Sequence, residues 1–139
     1  MFYDPVPKIQ ASVFARLPDE LKWQGQDLNE WVASQPYGNP PRSLLEGPSF
    51  GPDGLLYCVD VVNGRILRVD AQGEFEPLVQ YDGWPNGLKF HRDGRIFVAD
   101  YKHGIMQFDL ERRQVRPVLE RYNIERFKGV NDLFFSEAG

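Results

Sequence analysis

A chain of 139 residues that is 42% hydrophobic and 26% charged has the composition of a folded domain, which excludes an intrinsically disordered chain. A net charge of −4 without a basic stripe argues against a nucleic-acid partner, and no apolar run reaches the roughly 18 to 20 residues of a membrane span. The single cysteine, Cys58, allows no intrachain disulfide, so a reducing compartment, the cytoplasm, is the expectation.

Residues 1–44 read as an N-terminal extension. Met1–Pro7 lacks the basic block and apolar core of a signal peptide. Ala11–Leu17 is expected as a strand and Pro18–Trp23 as a helical turn. Residues 27–33 suit a short helix, with Asp27 as N-cap and Leu28, Trp31 and Val32 as apolar positions. Gln35–Pro41 has to be loop, because its prolines and glycine remove ladder donors and break helix.

From residue 45 onward the sequence repeats. Leu45-Glu46-Gly47-Pro48-Ser49-Phe50-Gly51-Pro52-Asp53-Gly54, followed by the apolar run to Asp60, returns 40 residues later as Asn86-Gly87-Leu88-Lys89-Phe90-His91-Arg92-Asp93-Gly94 and the run to Asp100. A third copy opens at Asn131-Asp132-Leu133-Phe134-Phe135, and Gly139 falls where the next turn glycine is due. A period of about 40 to 45 residues with strand-turn-strand content is the signature of propeller blades. Strands are expected at 46–50, 55–60, 65–70 and 74–80, then at 86–91, 95–100, 105–110 and 114–120. Runs such as Leu55–Val59 and Ile96–Ala99 are apolar on both faces, as stacked blades require. The expected fold is all-β: two four-stranded blades and the first strand of a third in 45–139. Two blades leave an edge and a blade face uncovered, through which the chain can self-associate.

A four-stranded meander sorts its loops onto two rims. Glu46, Asn86 and Asn131 head successive innermost strands, and Asp60, Trp84, Asp100, Tyr101, Lys102, His103, Arg126 and Lys128 share their rim. One carboxylate and two carboxamides around an axis form a hard, oxygen-only environment suited to Ca²⁺ or Mg²⁺. The same residues also read as a solvated acid and two turn dipeptides. His103 suits a general base or ligand, and equally a hairpin loop beside Gly104. Asp53 and Asp93 read as turn formers, His91 as inert, and Cys58 as a small buried hydrophobe.

Leu45-Glu46-Gly47-Pro48-Ser49-Phe50 resembles the first-blade signature of the gluconolactonase/regucalcin/luciferin-regenerating family. Trp84-Pro85-Asn86-Gly87-Leu88 and Gly129-Val130-Asn131-Asp132-Leu133 resemble its later blades. The resemblance covers roughly residues 45 to 139. It implies a six-bladed propeller, present here in part, that hydrolyses sugar lactones or related esters with a divalent cation: Ca²⁺ foremost, with Zn²⁺, Mg²⁺ or Mn²⁺ as alternatives. It carries the metal-ligand role to Glu46 and Asn131 and makes Asn86 a channel-lining, substrate-binding candidate. Tyr101, Lys102 and His103 are expected to orient the sugar hydroxyls from the rim. The family's metal-ligating aspartate, which often doubles as base, has no counterpart up to Gly139, so the catalytic residue is left unassigned. The competing expectations are a non-catalytic propeller that binds a ligand or protein, and an inactive fragment.

Overall fold

The turns decide where this chain folds back. At Asp53-Gly54 and Asp93-Gly94 a carboxylate accepts the backbone N–H two residues on, from Leu55 and Arg95 respectively, at 3.1 Å. The glycines take the left-handed conformation (φ 76° and 89°) that the turn demands. In the computed structural model, which describes residues 6–25, 30–36 and 41–139, these turns join two antiparallel meanders.

The first meander pairs β1 (Leu45–Phe50), β2 (Leu56–Asp60), β3 (Arg65–Val69) and β4 (Phe75–Gln80) in that order. The second pairs β5 (Pro85–Phe90), β6 (Ile96–Asp100), β7 (Gly104–Asp109) and β8 (Gln114–Leu119) in the same way. The two sheets are copies even in their irregularities. Each innermost strand slips register once, between Glu46 and Ser49 in β1 and between Pro85 and Gly87 in β5. Each outermost strand carries a proline beside a second slip, Pro77 in β4 and Pro117 in β8. An outer strand tolerates proline because its free edge needs no donor, and the same proline discourages edge-to-edge pairing.

Alternation along the strands builds two apolar layers. Tyr57, Val59 and Ile66 of the first sheet meet Leu88, Ile96, Val98 and Phe108 of the second, so the main core lies between the blades. Cys58 and Leu67 point the other way and are covered by Leu17 of the extension. Cys58 is therefore the small buried hydrophobe expected, with burial pushing its thiol up to about 12.

Inner strands approach closely at glycine. A methyl group built on Gly47 would lie 2.5 Å from Leu88 N and 2.9 Å from Asn86 O. On Gly87 it would lie 2.5 Å from Asp132 Oδ1 and 3.1 Å from Asn131 O. Aromatic pairs repeat the relation: Phe90 meets Tyr57 edge-on at 5.0 Å, and Phe135 meets Phe97 edge-on at 5.4 Å. The segment 131–135 thus stands to the second blade as β5 stands to the first. It forms no ladder, since a strand needs a hydrogen-bonded neighbour and it has none.

Three elements differ from the sequence reading. Ala11–Leu17 is not a strand but a strap crossing the face of the first blade, where no free edge offers backbone bonds and Leu17 is held by side-chain packing. The expected turn at Pro18–Trp23 is a 3-10 turn at Asp19–Leu21. A small hairpin not anticipated, β9 (Arg121–Tyr122) with β10 (Glu125–Arg126), follows the second blade. Its turn uses Asn123 at φ 54°, a conformation asparagine tolerates. The helix α1 spans Glu30–Ser34, and the expected N-cap, Asp27, lies outside the described residues. Among the described residues no helix is long and apolar enough to cross a membrane.

Candidate functional site

The rim that carries the inner-strand heads is built on two buried carboxylates at equivalent positions. Asp60 and Asp100 close β2 and β6, and both are fully buried. Asp100 accepts the N–H groups of Lys102 and His103 at 2.9 Å through one oxygen and the Tyr81 hydroxyl at 2.8 Å through the other. Burial, reinforced by the Asp100 charge, raises the Tyr81 phenol above the usual tyrosine range. The carboxylate therefore shapes the Tyr101–Gly104 loop, with both oxygens engaged by protein donors.

That loop and the inter-blade connection frame a cavity of about 430 Å³. Asn86, Asn131, Tyr101 and Trp84 line it from the blades, and Trp31 and Gln35 line it from the extension. Trp84 and Tyr101 lie 6.0 Å apart in a tilted arrangement, and the Tyr101 backbone N–H donates to Trp84 O at 2.9 Å. Gly129, at φ 79°, packs against the Tyr101 ring so closely that a methyl group there would sit 2.5 Å from it. The glycine thereby fixes the ring at the mouth of the cavity.

A second cavity, of about 520 Å³, opens on the same rim between the two blades. Lys102 lines it and donates to Glu30 at 2.6 Å and to Asp82 at 2.7 Å. Those two carboxylates, Asp82 first, hold the ammonium above the ordinary lysine range, and Lys102 in turn lowers Asp82. The His103 ring meets the Asp82 carbonyl.

The inner-strand heads are thus distributed over two places. Asn86 and Asn131 share the first cavity with Tyr101. Glu46 lines a third cavity, of about 330 Å³, together with Leu45, Pro48, Cys58 and Phe14 on the outer face of the first blade. Among the described residues no cluster of three or more His, Cys, Asp or Glu is arranged to hold a metal ion. Sequence reasoning missed Trp31, which the helical pattern marked only as an apolar position. Its placement on a cavity wall depends on how the extension docks.

The model of the SMP-30/gluconolactonase/LRE-like region matches residues 44–139. The chain belongs to this family. A gluconolactonase of Zymomonas mobilis is 46% identical over 104 residues, which make up 74% of this chain and 27% of that protein. The lactonase drp35 of Staphylococcus aureus is 28% identical over 102 residues, 68% of this chain and 31% of its own. A solved gluconolactonase structure from Xanthomonas campestris superposes with a TM-score of 0.65 at 23% identity, covering 70% of this chain and 33% of that one. The chain therefore spans about a third or less of the length of these relatives, and the family region begins where the extension ends.

Proposed function

We propose that this member of the SMP-30/gluconolactonase/LRE-like family contributes to the hydrolysis of a sugar lactone. The observation that carries the reading is the cavity lined in common by Asn86 and Asn131, which head successive blades, and by Tyr101. Carboxamides both donate and accept, so they suit the alternating hydroxyl and ester oxygens of a cyclic sugar ester. Tyr101 adds a hydroxyl at the mouth. Lys102 acts from the adjoining cavity and His103 beside it, in a loop fixed by Asp100 and Asp82.

A hard divalent cation completes the reading, and Ca²⁺ suits the donor chemistry best. Glu46 and Asn131 are the oxygen donors this chain would supply, and because they line different cavities they do not by themselves make a site. A Ca²⁺ shell takes about six to eight oxygens, so these two leave most of the shell to water, substrate and other residues. When bound, such a cation polarises an ester carbonyl and acidifies a water.

The test is hydrolysis of D-glucono-δ-lactone by the intact protein, before and after chelation and with Ca²⁺, Zn²⁺, Mg²⁺ or Mn²⁺ restored. Cation-dependent hydrolysis that falls at least 100-fold in Glu46→Gln is expected, the scale of losing one strong electrostatic contact. Equal rates in wild type and variant would remove the metal role of Glu46. Lactone binding without turnover at any cation would favour a non-catalytic ligand-binding propeller.

A further inference from the structure

Two side chains border both rim cavities, Trp31 and Trp84. Trp84 belongs to the inter-blade connection, within the family region. Trp31 does not. It comes from α1 in the N-terminal extension, ahead of the first matched residue, 44. Its described part, Glu30–Ser34, is held on the rim by tertiary contacts. Val32 is buried, and Glu30 accepts a hydrogen bond from Lys102 of the second blade. The chain leading to α1 is tied down as well. Arg65 donates to Leu21 O, and Trp23 and Arg42 exchange hydrogen bonds through Trp23 N to Arg42 O at 2.8 Å and Arg42 Nε to Trp23 O at 2.9 Å.

We infer that Trp31 is a specificity-determining residue, a platform that the extension lays across the rim to receive one face of a polyhydroxylated ring. The inference rests on the lactonase reading for the ring's identity and on the cavity walls for the contact. The cavity lining combines three aromatic side chains, the indoles of Trp31 and Trp84 and the Tyr101 ring, with the hydrogen-bonding residues Asn86, Asn131 and Gln35. A six-membered sugar ring has a matching combination, with an apolar C–H face and a polar perimeter. Pockets of this kind bind through apolar contact and orient through a few placed polar groups. The blades supply both asparagines and two of the three aromatic side chains, and the extension supplies Gln35 and Trp31.

The experiment measures 1,5-anhydro-D-glucitol, a polyhydroxylated six-membered ring without a hydrolysable ester, by calorimetric titration of the intact protein, with lactone kinetics alongside. Trp31→Ala is expected to weaken its binding about tenfold and to raise KM for D-glucono-δ-lactone by a similar factor, with a smaller change in kcat. Trp31→Phe, which keeps an aromatic ring, should recover binding to within about threefold of wild type. Glu30→Gln, which loosens the helix and keeps the indole, should cost about two- to threefold. Anhydroglucitol should also shield tryptophan emission from acrylamide in the wild type, and less so in Trp31→Phe, a readout that holds even where the alanine variant folds poorly. Equal anhydroglucitol affinity in wild type and Trp31→Ala, the same shielding in Trp31→Phe, or no anhydroglucitol binding by the wild type would overturn the inference. Anhydroglucitol binding that depends on Trp31 in a protein without lactone hydrolysis would support it and overturn the lactonase reading alone.

Discussion

The two blades share a scaffold and use the same loop differently. In the first, Asp60 is neutralised by Arg65, whose guanidinium lies 2.8 Å away and is itself buried. Asp60 also accepts from Ser43 and Asn63 at 2.9 Å, and the loop beyond it holds Val61 and Val62, both buried. In the second, the residue that pairs with Asp100 is Gly104, and among the described residues no cation reaches the carboxylate, which is held by a phenol and two backbone N–H groups. The loop there is Tyr101-Lys102-His103, polar and largely presented to the cavities. A repeat with a fixed carboxylate anchor can thus place either packing or chemistry on the loop above it. The first blade uses the loop to seat the extension, and the second presents side chains with it.

The largest test of that contrast removes the anchors one at a time. Asp60→Ala strands a buried guanidinium and is expected to destabilise by about 4 kcal/mol, because breaking one side of a buried pair leaves an uncompensated charge. Asp100→Ala leaves only neutral donors unpaired, and about 1–2 kcal/mol is expected. Denaturant titration of both variants measures the gap, and equal losses would mean that the two anchors are energetically alike.

A second test addresses the close approach of inner strands. Gly47→Ala places a methyl group against three backbone atoms of β5 at a φ of 57°, so roughly 3 kcal/mol is expected. Gly87→Ala meets the Asp132 carboxylate and, at 2.9 Å, the Asp132 backbone, in a segment that no ladder holds, so nearer 1–2 kcal/mol is expected. A reversed order would show that 131–135 is gripped more tightly than β5.

The smallest effect concerns the exposed ion pairs of the second loop. Lys102→Met should cost about 0.5 kcal/mol, since Asp82 and Glu30 are largely solvated and water screens the pairs. The raised Lys102 makes its contribution complete below lysine's ordinary value of 10.5 and lost as pH rises through the folded value. The lowered Asp82 makes its share present above 3.8 and lost in acid. Thermal melts across pH should therefore show the wild-type advantage as a plateau that fades at both ends.

Much of this was legible from residue order. The 40-residue recurrence of Gly47, Asp53, Gly54 and Asp60 set the blades, the turn positions and the loops that share a rim, because turn chemistry and strand alternation are local properties that a chain writes into itself. Even Asn86 and Asn131 on one cavity follow from the repeat, since equivalent positions of adjacent blades are neighbours by construction. Other features were decided only when distant segments met. The docking of the strap puts Glu46 in a cavity with Phe14, separate from the one the two asparagines line. The position of Trp31 depends on Arg65 reaching Leu21 and on Lys102 reaching Glu30, contacts 44 and 72 residues apart in the chain. Local pattern fixes which way a side chain faces within its own strand or helix, whereas the partner across a cavity is chosen by how those elements pack.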